Sequence, residues 1–158
     1  MDSDVDLHVV EQRREMSRAP WSVLGAISAG GALGALARYG LATAWPPAAG
    51  QFPWATFIAN VSGCLLIGAL MVLITEVWTA HPLIRPFLGV GVLGGYTTFS
   101  TYTADIQQLV AGGAARTGLL YLAGTLAAAL AAVSAGISLA RLLTTRYRRR
   151  RHQPEVSS

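Results

Sequence analysis

The sequence predicts an all-α integral membrane protein with four transmembrane helices, the third of them broken mid-membrane. Three observations carry this. Charge is scarce: the 158 residues are 53% hydrophobic and 13% charged, against about 25% charged in soluble domains, and mean hydropathy is positive. Charge is also segregated. No Asp, Glu, Lys or Arg occurs from Ala19 to Ala37, Tyr39 to Thr75, Pro86 to Ala104 or Thr117 to Ala140. Crossing about 30 Å of hydrocarbon takes about 20 apolar residues, so these runs place spans at 22–44, 54–76, 86–110 and 117–140. Finally, residues 94–103 read GGYTTFSTYT, two glycines and seven hydroxyl-bearing residues where a membrane helix should run.

The elements follow in order. Residues 1–20 carry Asp2, Asp4 and Asp6, then Arg13, Arg14 and Arg18, and read as a flexible cytoplasmic arm. Residues 21–144 form the four-helix transmembrane domain. Trp21 and Trp45 bracket the first span, and Trp54 and Trp78 the second, as interfacial aromatic belts do. Trp45-Pro46-Pro47 ends span one and Pro53 opens span two. His81-Pro82 and Pro86 mark a tight second loop, and Gly112-Gly113 the third. Short connections force the spans to run antiparallel and leave no extramembrane domain. Residues 145–158 read as a basic, disordered tail. A soluble bundle would need polar outer faces at helical spacing, and these runs have none. The first run is too long for a signal peptide and three more spans follow it.

Several function classes are excluded. Cys64 is the single cysteine and lies inside a span, so it gives neither a disulfide framework nor a metal-ligand spacing. His8, His81 and His152 are scattered in termini and a loop. With no catalytic cluster and no nucleotide-binding glycine motif, the chain does not read as an enzyme, and nothing points to nucleic acid. Gly30/Gly34 and Gly31/Ala35 form a small-residue ridge on span one, and span four is Ala/Gly-rich over residues 123–136. Both suit close helix approach.

Three features carry chemistry. Backbone unwound at membrane depth survives only if protein buries it or it lines a polar cavity. Gly94-Gly95 permit such unwinding, and the freed carbonyls become candidate ligands for a hard cation. Thr97, Thr98, Ser100 and Thr101 can satisfy the other freed groups. The competing reading is an intact helix whose hydroxyls bond back to i−4 carbonyls. Asn60, mid-span in helix two, either glues helices together or offers its amide donors to something passing. Arg38, near the end of span one, either snorkels to the interface or concentrates anions at a pore mouth. No Asp, Glu, Lys or His lies mid-span, although Asp105 follows the polar stretch. Proton-coupled exchangers need an intramembrane ionisable group. Amide and hydroxyl donors with aromatic ring edges suit a dehydrating anion instead.

GGALGALARY (30–39), ATFIANVSGCLLIG (55–68) and GVLGGYTTFSTYT (91–103) together resemble the Fluc (CrcB) family of small bacterial fluoride channels, over roughly residues 22–140. The resemblance implies antiparallel dimers of four-helix subunits in the bacterial inner membrane, with two fluoride pathways along the interface. It also implies one structural Na⁺ at the dimer centre, held by the main-chain carbonyls of Gly94 and Thr97. The pore phenylalanines of the signature fall at Phe99 and Tyr102, the pore asparagine at Asn60, with Thr101 beside them. A hydroxyl track continues at Tyr121 and Thr125, four residues apart on one face. Arg38 and Asp105 fall in the vestibule. Two departures stand out. Tyr102 replaces the second phenylalanine, adding bulk and a donor to the path it lines. Asp105 stands where the family usually has Glu, keeping charge and shortening reach. The activity implied is passive export of F⁻, lowering fluoride toxicity.

Two alternatives remain. A small multidrug exporter needs a glutamate in span one, and none lies between Pro20 and Trp45. A non-conducting scaffold gains nothing from a broken centre. Orientation is also legible. With four spans, both termini and the second loop share a side carrying Arg13, Arg14, Arg18, Arg85, Arg141, Arg146, Arg148, Arg149, Arg150 and Arg151, while the other carries Arg38 and Arg116. The positive-inside rule puts both termini in the cytoplasm. Residues 148–151 could also serve as a lipid anchor, yet the bias survives without them. It is too strong for a chain inserting both ways, so the expected partner is a related subunit of opposite orientation.

Overall fold

The computed structural model describes residues 20–77 and 82–151. Helix α1 runs over Pro20–Ala44, its proline at a first-turn position where the missing N–H costs nothing. Helix α2, Trp54–Val72, continues as a π-wound stretch over Leu73–Val77. Helix α3 begins with a second π-wound stretch, Arg85–Leu93, and ends in an α-helical turn, Gly94–Tyr96. Helix α4 spans Ser100–Ala111 and α5 spans Ala115–Arg151. Nothing in the residue pattern announces the two π-wound stretches.

Two helix pairs make the fold. Helix α1 packs along α3, and α2 along α5, with α4 resting on α5. Glycine decides both principal contacts. A Cβ on Gly30 would meet the Phe87 carbonyl, and one on Gly34 the Val92 carbonyl. Across the same seam, a Cβ on Gly95 would meet the Gly31 carbonyl. In the second pair, Gly68 faces the Val133 carbonyl and Gly136 the Leu65 carbonyl. Backbones therefore touch directly, which is how small-residue ridges gain van der Waals contact where lipid removes the hydrophobic drive.

Two helices are long and apolar enough to cross a membrane, Trp54–Glu76 with hydropathy 2.4 and Ala115–Thr145 with hydropathy 1.9. Only 22% and 17% of their most apolar windows are buried, too little for core helices of a soluble protein. Leu119, Leu126, Leu130, Leu139 and Leu143 leave α5 outward-facing and exposed. The protein is a membrane protein. Trp21, Trp45 and Trp54 are exposed, as an interfacial belt requires; Trp78 lies outside the described residues.

Helix α5 runs further than the sequence reading allows. A disordered tail is expected from residue 145, yet the helix continues to Arg151. No Gly or Pro occurs between Ile137 and Arg151, and Leu, Ala and Arg are strong helix formers. Residues 152–158 and the arm up to residue 19 lie outside the described residues. Arg141 pairs with Glu76 at 2.9 Å, tying α5 to the end of α2. Both partners are exposed, so the pair contributes at most about 1 kcal/mol.

Candidate functional site

The helical path stops at Tyr96. Thr97 adopts an extended conformation, φ −80 and ψ 156, and the helix restarts at Ser100. Thr97 keeps its N–H on the Leu93 carbonyl at 3.0 Å, and its hydroxyl donates to the same oxygen at 2.9 Å. Its methyl lies against Gly63 of α2, where a Cβ would clash with it. The next residue leaves the helix, and Asn60 receives it. Asn60 Nδ2 donates to the Thr98 carbonyl at 2.9 Å, while the Thr98 N–H donates to Asn60 Oδ1 at 2.8 Å. One side-chain amide thus pairs with both polar groups of one backbone residue, and buried backbone groups need such partners.

The hydroxyls divide into two groups. Thr103 and Ser62 bond back to carbonyls of their own helices, as in an unbroken helix. Thr98 does not. Its oxygen accepts from the Thr101 N–H at 3.2 Å, and its hydroxyl donates to Thr101 Oγ1 at 3.1 Å. It therefore caps the restarted helix in the manner of an N-cap threonine. Arg38 does not simply reach outward: its Nε donates to the Gly95 carbonyl at 3.2 Å. Tyr96 and Ser62 join α3 to α2 through a hydroxyl pair at 3.0 Å.

Beyond the break the aromatic rings line up. Phe99 and Tyr102 lie 5.9 Å apart by ring centroid, and Tyr102 and Tyr121 lie 5.2 Å apart. Phe52, from the connection before α2, meets Tyr121 edge-on at 5.1 Å. Phe99 is 77% exposed and Tyr121 fully buried, so the row runs from the surface inward. The Tyr102 hydroxyl donates to the Leu122 carbonyl of α5 at 2.8 Å. Tyr121 donates to Asp105 Oδ2 at 3.3 Å, and Thr56 of α2 lies within hydrogen-bonding reach of the same carboxylate. Thr125 is buried, and its Oγ1 has no partner among the described residues. A cavity of about 540 Å³ opens beside the outer end of this row, with Asn60, Thr97, Phe99, Tyr102 and Thr125 in its wall.

Asn60, Gly94, Thr97, Phe99, Tyr102 and Thr125 thus share one cavity. Asp105 instead lines a second cavity of about 330 Å³ beneath the loop over residues 47–53. Arg38 touches the break from α1, and Thr101 holds Thr98. Sequence reasoning missed Thr56 and Phe52, whose neighbours come from distant segments, and treated Thr98 as one hydroxyl among several. No group of three or more His, Cys, Asp and Glu able to hold a metal occurs among the described residues.

A family model described as "CrcB-like protein, Camphor Resistance (CrcB)" matches residues 25–137. The chain is 56% identical over 128 residues to "Fluoride-specific ion channel FluC 2" of Nocardia farcinica, covering 81% of this chain and 91% of that protein. It is 54% identical to "Fluoride-specific ion channel FluC 1" of Streptomyces coelicolor, over 74% and 79% of the two chains. It is 48% identical to "Fluoride-specific ion channel FluC 2" of Thermobifida fusca, over 83% and 97%. The match takes in α1, the Asn60 segment, the break and most of α5, and the chain belongs to the CrcB-like family.

Proposed function

We propose that the chain is a subunit of a fluoride-specific channel that lets F⁻ leave the cytoplasm down its electrochemical gradient. One observation carries the reading: the Phe99–Tyr102 ring pair, the Asn60 amide and the unpartnered Thr125 hydroxyl converge on one cavity beside an opened backbone. A small, strongly hydrated anion gives up water only for comparable donors, and ring edges and hydroxyls provide them. The relatives' names point to the same ion. Four spans cross the membrane in this reading, with Thr97–Phe99 at mid-depth. Acidic surroundings drive fluoride inward as HF, which dissociates in the neutral cytoplasm. The membrane potential, about 2.3 kcal/mol per charge per 100 mV, then expels F⁻ without coupling to protons or ATP. The test is efflux from proteoliposomes holding the assembled dimer. Fluoride flux without chloride flux supports the channel; cationic-dye transport supports an exporter, and absence of any flux a scaffold or an incomplete dimer.

A resident Na⁺ fits the donor set. Hard cations take oxygen ligands and offset the mutual repulsion of clustered carbonyls. The carbonyls of Gly94 and Thr97 would hold it, because the N–H groups four residues on, Thr98 and Thr101, point to side chains instead. Asn60 and Arg38 meanwhile fill the carbonyls of Thr98 and Gly95.

The Tyr102 departure reads differently once its hydroxyl is tied to the Leu122 carbonyl. The donor that tyrosine adds is consumed by α5, so the ring edge is what the path meets. Tyr102→Phe is expected to change fluoride flux by less than about twofold. It should lower the free energy of unfolding by the worth of one hydrogen bond, about 1 kcal/mol. A large rise in flux would show that the hydroxyl obstructs the path after all.

The subunit pairs antiparallel with a second one in the bacterial inner membrane, both its termini cytoplasmic. Its arginine asymmetry favours a related subunit of opposite orientation over a second copy of itself. Labelling of a cysteine tag at either terminus in intact cells is expected to fail from outside. A sizeable externally labelled fraction, or fluoride flux from this chain alone, would establish a dual-topology homodimer instead.

A further inference from the structure

Hydrogen-bond accounting at the break singles out one residue. In a continuous helix each carbonyl accepts from the N–H four residues on. Gly94 would receive Thr98, and Thr97 would receive Thr101. Both donors are diverted to side chains, the Thr98 N–H to Asn60 Oδ1 at 2.8 Å and the Thr101 N–H to Thr98 Oγ1 at 3.2 Å. Without the second diversion, the Thr101 amide could turn back to the Thr97 carbonyl and the restarted helix could grow toward Thr97. We propose that Thr98 is a positioning residue for the central cation: its hydroxyl caps the Thr101 amide and so keeps the Thr97 carbonyl open to a metal ion.

The geometry supports a dedicated role. The Thr98 hydroxyl hydrogen goes to Thr101 Oγ1 at 3.1 Å, which turns a lone pair toward the Thr101 amide. Asn60 grips the same residue through its backbone, fixing where the hydroxyl sits. Arg38 completes the arrangement by occupying the Gly95 carbonyl, and the oxygens of Gly94 and Thr97 are among those left open at the break. The inference rests on the Na⁺ reading proposed above and names the side chain that makes one of its ligands available.

The experiment is thermal unfolding of the purified dimer, titrated with NaCl against N-methyl-D-glucamine chloride at constant ionic strength. A ligand that binds only the folded state raises the midpoint with concentration. The wild type is expected to show that rise. Thr98→Val keeps the β-branched shape and removes the hydroxyl, so its half-maximal Na⁺ concentration should increase by about tenfold or more. Thr98→Ser restores the hydroxyl and should return the titration to within about threefold of wild type. Amide exchange at Thr101 gives a second reading on any variant too unstable to titrate: the Thr98→Ala protein should lose its Na⁺-dependent protection there. A Thr98→Val titration matching wild type, or failure of serine to rescue, overturns the positioning role while leaving the cation in place. A wild type indifferent to Na⁺ overturns both.

Discussion

Asn60→Asp is expected to lower fluoride efflux from proteoliposomes by about a hundredfold, a loss near 3 kcal/mol. The aspartate keeps an oxygen where Oδ1 accepts the Thr98 N–H. Its second oxygen then replaces a donor that sits 2.9 Å from the Thr98 carbonyl, so two acceptors face each other. The carboxylate also adds negative charge to the cavity shared with Phe99 and Thr125, where low dielectric makes repulsion of an anion strong. Both effects act on the pathway and on the backbone that shapes it, while the glycine seams that hold the helices together are untouched. The variant should therefore elute from size exclusion as the wild type does. Wild-type efflux from Asn60→Asp would move the path away from this cavity.

Gly34→Val is the larger structural perturbation and should abolish folded protein. Its Cβ would fall on the Val92 carbonyl and 2.8 Å from the Tyr96 amide nitrogen. Both obstacles are backbone, so no rotamer change relieves them, and α1 must separate from α3 just before the break. Overpacking commonly costs about 1–3 kcal/mol where side chains can yield, and here the cost should exceed that range. Gly40→Val is the control, because nothing lies within 4 Å of a Cβ at Gly40. The expected result is a monodisperse Gly40→Val protein and an aggregated or degraded Gly34→Val one. Equal yields and equal unfolding midpoints would show that the α1–α3 seam is not the close contact described.

The sequence by itself determined the all-helical class, the membrane environment and the position of the opened segment. Each rests on a local property: uncharged runs of spanning length, tryptophans and prolines at their ends, and a Gly-Gly pair followed by hydroxyls. It also singled out Asn60, Phe99, Tyr102 and Thr125, grouped into one pathway by the family resemblance. Only tertiary structure decided what these residues do to one another. Whether Asn60 glues or donates depends on a partner 38 residues away, and the structure places its amide on the Thr98 backbone. Arg38 is a vestibule or snorkelling cation by position, yet it bonds a carbonyl 57 residues on. Tyr102 reads as an extra donor until α5 supplies the Leu122 carbonyl. The reach of α5 to Arg151 was legible in its lack of helix breakers and was overruled by its charge, which signals solvent without signalling disorder. Hydrogen bonds between segments are chosen by the packing that brings the segments together, and in this protein glycine contacts set that packing. Residue spacing alone records which groups need partners, whereas the fold assigns them.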